Sequence, residues 1–281
     1  MLRLERILVP VDFSLSSTAA ARHAIALAER FQSEIHILHV VDSGFRMPKL
    51  GEEDEEIPCA APEGREAAQT ALDAFLAGEL KPGRTKRILL CGDPAGEIVR
   101  YANEIKASLI AMPTRGYGVL RRLLLGSVTA KVLHDAECPV WTGVHAESFP
   151  QLQPPAITKV LCAVDFSSAN TEAVRWAKQF AEACGARLCL VHVLPSVHES
   201  WRPQLERQAR TTLSKMMLVE GIHAESAAEF GEVGETIAGA ARRMGAEILV
   251  IGRGAATAAL GRLRSSSYAI IRESPCPVIS V

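Results

Sequence analysis

The sequence predicts an α/β protein made of two copies of one domain, each a parallel sheet in which strands and helices alternate. Three observations predict it. Apolar runs of strand length alternate with segments whose apolar residues recur at helical spacing. Val11-Asp-Phe-Ser14 returns as Val164-Asp-Phe-Ser167, and Leu38-His-Val40 is matched by Val191-His-Val193, both 153 positions on. Cys138-Pro-Val140 returns as Cys276-Pro-Val278, 138 positions on, so the copies differ by insertions and not in plan.

The elements follow in order. Ile7 to Ser14 reads as a buried strand ending in a carboxylate and a helix cap. The helix after it turns Ala21, Ala24, Ile25 and Ala28 to one side. Ile35 to Val41 is a second strand. The stretch from Asp42 to Glu63 has no apolar period, and its run Glu52 to Glu56 reads as a solvated loop. Arg65 to Leu80 is predicted helical and Arg87 to Cys91 a third strand. Asp93-Pro94 opens a helix with Ile98, Ala102 and Ile105 inward, since proline suits a first helical position. Leu109 to Met112 is a fourth strand, Val128 to His134 a helix, and Cys138 to Thr142 a fifth strand. Alternation of this kind implies parallel pairing with right-handed crossovers. Gly231 matches Gly92 at an offset of 139, so the first copy carries about 14 extra residues, which fall in the acidic loop. The polar, proline-rich stretch Glu147 to Pro155 joins the copies. The boundaries are 1–146 for the first domain, 147–156 for the linker and 157–281 for the second domain.

Composition narrows the function classes. At 281 residues, 48% hydrophobic and 22% charged, the chain is globular. A net charge of −1 supplies no basic field for nucleic acid. No run approaches the roughly 20 apolar residues that span a bilayer, and the apolar run at the start is too short for a signal peptide. A soluble cytoplasmic protein is expected. The seven cysteines form no C-x-x-C pair, and most sit in apolar runs, so reduced buried thiols are expected, with Cys59 in a polar loop as the one open to reaction. His39 and His192 lie in strands and read as packed or hydrogen-bonded groups. No metal-ligand spacing is present.

The loop between Met112 and Ser127 carries the chemistry. Gly116 is followed by nine residues and then Gly126-Ser127 at a helix start. Glycines let a backbone approach an anion, and helix N-terminal amides attract negative charge. Two readings stand side by side, a phosphate-binding loop and glycines that only turn the chain. Arg115 is the cation nearest the anion on the first reading. Arg121 and Arg122 read as exposed basic residues. Asp12 and Asp165 are helix-turn caps, ligand contacts or both.

Taken together, the Val-Asp-Phe-Ser strand end, the glycine loop before Gly-Ser and the terminal Cys-Pro-Val strand make the chain resemble a tandem universal stress protein of the UspA type over nearly its whole length. The resemblance implies a doubly wound, adenine nucleotide alpha hydrolase-like fold in each domain: five parallel strands with helices on both faces. It also implies pairing through the final strands, here between the two halves as an internal pseudo-dimer or between chains as a homodimer. In the family's nucleotide-binding branch ATP lies along the carboxyl ends of the strands, as open α/β sheets generally arrange. Carried over by position, Asp12 lies at the ribose, Val40 meets adenine through its backbone, and Gly116, Gly126 and Ser127 cradle the phosphates. Pro10, Val11, Pro113, Arg115 and Val128 complete that set. Pro113 replaces the family's first loop glycine and has no N–H to donate.

The second copy departs further. Asp165 is kept and Gly252 restores the first glycine, with Gly254 and Ser265 as further candidates. Its loop is one residue short, and Arg264-Ser265 stands where Gly-Ser is expected. Arg264 either fills the phosphate pocket or supplies a cation to it. The second domain is then a structural or regulatory half. No Gly-x-Ser-x-Gly elbow, Walker lysine or zinc signature supports catalysis. The leading expectation is a stress or signalling switch that binds ATP or a related adenine nucleotide, with or without Mg²⁺. The alternative is a nucleotide-free protein acting through its dimer and its surface. An enzyme of a related α/β fold ranks last, because no catalytic residues support it.

Overall fold

The structure is a computed structural model that describes residues 2–42, 62–114, 125–143, 157–253 and 265–281. In the first half, β1 (Arg6–Pro10), α1 (Leu15–Phe31), β2 (Glu34–Asp42), α2 (Pro62–Ala74), β3 (Thr85–Gly92), α3 (Pro94–Glu104), β4 (Leu109–Pro113), α4 (Ser127–Asp135) and β5 (Val140–Gly143) follow one another. The second half repeats the plan: β6 (Lys159–Val164), α5 (Ser168–Cys184), β7 (Arg187–Leu194), α6 (Arg202–Val219), β8 (Glu225–Phe230), α7 (Val233–Met244), β9 (Ile248–Ile251), α8 (Ser265–Glu273) and β10 (Val278–Ser280).

All ten strands form one sheet in the order β3-β2-β1-β4-β5-β10-β9-β6-β7-β8. Pairing is parallel within each half, for example Ile7 beside Ile35 and Val160 beside Leu188. At the centre β5 and β10 pair antiparallel, with Trp141 opposite Ile279. The strands of the two halves therefore run in opposite directions, and the carboxyl edge of one half lies on the same side as the amino edge of the other.

Strand alternation sets the layers. Ile7 and Val9 point into a core under α1, α2, α5 and α6, whereas Leu8 points into a core under α3, α4, α7 and α8. Each core runs across both halves. Alanines 20, 21, 24 and 28 let α1 lie close on the sheet, as the helical spacing predicts, although Ile25 is only partly buried. Phe180 of α5 stacks on Trp176 at 5.0 Å and reaches Phe31 of the first half at 6.0 Å between centroids. Arg30, at the end of α1, donates to the carbonyls of Ala183 and Cys184 at the end of α5. Asp93 caps α3 by accepting the Gly96 N–H at 2.9 Å, ahead of Pro94.

Several boundaries differ from expectation. β1 ends at Pro10, one last bond to β2 follows from the Val11 N–H, and Phe13 then turns left-handed, with φ of 63°. Helix α2 begins at Pro62 and ends at Ala74, and Leu76 then takes a left-handed φ of 46° in place of a continuing helix. Ile105 is the C-cap of α3 and only half-buried, and β5 starts at Val140, after Pro139. The reduced-thiol expectation is corrected at Cys91, which is disulfide-bonded. Cys138, Cys162, Cys184, Cys189 and Cys276 are free thiols. Burial pushes Cys138 up to about 11 and Cys162 up to about 12, so both behave as inert packing groups. Cys59 lies outside the described residues. Among those residues no helix is long and apolar enough to cross a membrane.

His36 of β2 is 2% exposed, its Nδ1 lying 2.9 Å from the Tyr101 hydroxyl and its Nε2 3.5 Å from a Glu34 carboxylate oxygen. Burial holds its pKa below the ordinary 6.5, against the pull of Glu34. His23 is lowered by burial as well. As pH falls through 6.5, the unfolded chain takes up these protons before the folded one does, so stability declines on acidification. Urea midpoints should therefore drop between about pH 7.5 and about pH 5.5, and His36→Gln should reduce the drop. An undiminished drop in the variant would remove His36 as a cause.

Candidate functional site

In the first half the order β3-β2-β1-β4-β5 reverses direction between β1 and β4, and the crevice outside the carboxyl ends of such strands is the general ligand position in open α/β sheets. The chain leaves β1 through a constrained turn. The Val11 N–H donates to the Leu38 carbonyl at 2.8 Å, and Phe13 then adopts its left-handed φ of 63°. Such a conformation is unfavourable for a bulky residue and persists only where the surroundings enforce it. The surroundings are visible. The His39 Nδ1–H donates to the Val11 carbonyl at 2.7 Å, and its ring lies 4.4 Å from that of Phe13. Asp12 Oδ1 accepts the Ser14 N–H at 3.0 Å. Ser14 Oγ accepts the Ser17 N–H at 3.1 Å as the cap of α1.

The second half repeats the device. Phe166 has φ of 60°, its ring lies 4.0 Å from that of His192, and the His192 Nδ1–H donates to the Val164 carbonyl at 2.7 Å. Asp165 Oδ1 accepts from both the N–H and the hydroxyl of Ser167, at 2.9 and 2.6 Å. His39 and His192 are packed and hydrogen-bonded, as the sequence suggests, and their pairing with left-handed Phe13 and Phe166 is the part that motif reading passed over. The signal was present, because Phe-Ser and the strand histidine recur with one offset of 153. What it encodes is a turn that needs an aromatic, a carboxylate and an imidazole together.

Val40 lies two residues beyond Leu38 on β2. By the two-residue period of a strand its N–H and C=O face the same way as those of Leu38, toward the space beyond the end of β1. Pro10 and Val11 are buried in the floor beneath it. On the far side of the crevice, the Gly126 N–H donates to the Thr114 carbonyl at 2.9 Å, which brings the start of α4 against the end of β4. Gly126 is the N-cap of α4 and offers no side-chain oxygen to the helix amides. Its own amide is committed to closing the loop, so donors for an anion come from the following residues, exposed Ser127 and half-buried Val128. Pro113 is buried in β4 and contributes its carbonyl, which accepts from the Thr129 hydroxyl at 3.0 Å.

Pro10, Val11, Asp12 and Val40 thus lie at or just beyond the carboxyl ends of β1 and β2, and Pro113, Gly126, Ser127 and Val128 at the end of neighbouring β4 and the start of α4. Arg115 and Gly116 lie outside the described residues, as do Gly254 and Arg264. In the second half Gly252 lies over α5, where an added Cβ would meet the Asn170 side chain at 3.2 Å, and Ser265 begins α8.

A cavity of about 840 Å³ lies elsewhere, at the amino ends of β6 to β8, with Lys159, Lys178 and Arg187 in its wall. Helix C-termini gather there. Lys178 donates to the Glu220 carbonyl at 2.9 Å and Lys159 to the Met244 carbonyl at 2.8 Å. These cations satisfy helix-end carbonyls, and the cavity is remote from the strand ends where the crevice forms.

A family model described as the universal stress protein family matches residues 3–142 and again residues 156–281. A universal stress protein of Methanocaldococcus jannaschii is 38% identical over 138 residues, which is 48% of this chain and 79% of that one. Another, of Mycobacterium tuberculosis, is 27% identical over 217 residues, 76% of this chain and 72% of its own. Among solved structures, a universal stress protein from Archaeoglobus fulgidus superimposes with a TM-score of 0.70 at 25% identity, covering 99% of this chain and 96% of that one.

Proposed function

We propose, from the premise that this chain belongs to the universal stress protein family with the family's fold present twice, that its first half binds ATP or a related adenine nucleotide as a signalling switch. The observation that carries this reading is the start of α4. A helix N-terminus with a glycine cap is tied by Gly126 and Thr114 to the end of β4, beside the strand reversal. Amides in that position suit a phosphate. Val40 offers both a donor and an acceptor to the edge of a base, and Asp12 stands at the ribose position between them. Arg115 and Gly116 belong to the same set by their place in the sequence.

Pro113 withholds one amide, so the first half is proposed to hold its nucleotide through the end of α4 and the backbone of β2. Mg²⁺ would enter with the phosphates. The second half, with Asp165, Gly252, Gly254 and Ser265, is proposed as the structural or regulatory partner in the domain division 1–146 and 157–281.

The test is direct. Protein purified under native conditions is denatured and its supernatant analysed by mass spectrometry, and stripped protein is titrated with ATP and Mg²⁺ by calorimetry. Released adenine nucleotide or a saturable heat is the expected result. Neither, up to high micromolar ATP, would leave the nucleotide-free interaction protein as the better reading.

A further inference from the structure

Arg253 follows Gly252 at the end of β9, and its N–H extends the ladder to the Val281 carbonyl at 3.0 Å. Its guanidinium crosses to the first half while staying within electrostatic reach of Glu172 on α5. The guanidinium donates through Nη1 to the Ala136 carbonyl at 2.5 Å and through Nη2 to the Cys138 carbonyl at 2.8 Å. Ala136 is the C-cap of α4. Two donors of one rigid fork thus hold the turn between α4 and β5, at the end of the helix where a cation is favoured. The antiparallel centre of the sheet makes this reach short, because the carboxyl edge of the second half lies beside the amino edge of the first, where α4 ends.

The contact runs one way. The second-half counterpart of Ala136 is Ser274, whose hydroxyl donates to the Cys276 carbonyl at 2.7 Å and closes that turn locally. The counterpart of Arg253 in the first half is Thr114, whose hydroxyl, among the described residues, donates to the neighbouring strand at the Gly143 carbonyl. The first half has an alanine where the second has a self-closing serine, and it takes its closure from the other half's loop.

We infer that Arg253 is a positioning residue for the nucleotide crevice of the first half, acting through α4. The inference rests on the nucleotide reading above. One end of this nine-residue helix faces the phosphate position and the other is held by the strand end that begins the second half's glycine loop. Whatever moves Gly252 and Arg253 moves the C-terminal anchor of α4. This is a physical route by which the second half regulates the first.

Full-length Arg253→Met keeps the length of the side chain and removes the fork. Two measurements on it separate the claims. Hydrogen exchange of the Ser127 to Lys131 amides in nucleotide-free protein should speed up by at least about tenfold relative to β1 amides, and ATP affinity by calorimetry should fall by about tenfold. Arg253→Lys, which serves one carbonyl at a time, should lie between. Ala136→Ser in the Arg253→Met background copies the local closure of the second half and should recover both readouts in part. Unchanged exchange in a folded Arg253→Met protein overturns the positioning role. So does a general loss of stability with unaltered affinity per folded molecule. If wild type takes up no nucleotide, the function reading fails by itself, and the exchange measurement still decides what Arg253 does.

Discussion

Gly126→Val should lower ATP affinity by at least about thirtyfold, close to 2 kcal/mol, and leave the protein folded. The backbone at Gly126 is φ −62° and ψ 146°, which valine adopts readily, and the bond from its N–H to Thr114 does not depend on the side chain. The cost to the fold is that of a poor N-cap, about 1 kcal/mol. On the proposed nucleotide reading, the cost to binding comes from two methyl groups at the mouth of α4, where phosphate oxygens would have to reach the amides. Gly126→Ser sharpens the test. Serine is a good N-cap whose hydroxyl accepts from the amides a phosphate would use, so it should raise the melting temperature while weakening ATP. Calorimetry beside thermal unfolding reads both effects. Affinity within twofold of wild type in the valine variant would show that phosphate does not approach α4.

Phe180→Ala should cost about 3–5 kcal/mol of stability, the largest effect expected from a single side chain here. Phe180 is 0% exposed, lies parallel to Trp176 with 12° between the rings, and reaches Phe31 across the two halves. Truncation leaves a cavity between helices α1 and α5, where Arg30 also crosses, so repacking from one half alone cannot fill it. Urea unfolding followed through tryptophan fluorescence checks it, because Trp141 and Trp176 report from opposite halves. A shift below about 1 kcal/mol would mean that the helices close over the gap.

The fold was legible in the sequence where two signals agreed. Helix α3 has Asp93-Pro94 at its start and apolar residues at helical spacing, so capping and burial gave one answer. Strand β2 was found nearly whole because its hydrophobic run needs no distant partner to explain it. Left-handed residues were not legible. Phe13 and Leu76 are not residue types that announce positive φ, and each is held by neighbours that the linear sequence does not reveal. In the candidate crevice Asp12, Gly126 and Ser127 stand out by strand-end and loop spacing, and Val40 only by the family resemblance. The commitment of the Gly126 amide to Thr114 depends on loop closure, and no motif contains it. The reach of Arg253 was hidden for a plainer reason, because its partners are carbonyls, which have no residue identity to read.

The central pairing of β5 with β10 has a thermodynamic consequence of its own. Two separate one-domain chains forming that contact would dissociate on dilution. Here Gly143 and Ile157 belong to one chain, so the encounter is intramolecular and its effective concentration is set by the covalent connection, not by the bulk protein concentration. Occupancy of the contact is then independent of how much protein a cell holds. Expression level can change how many copies are present, but not whether the two halves of each are paired.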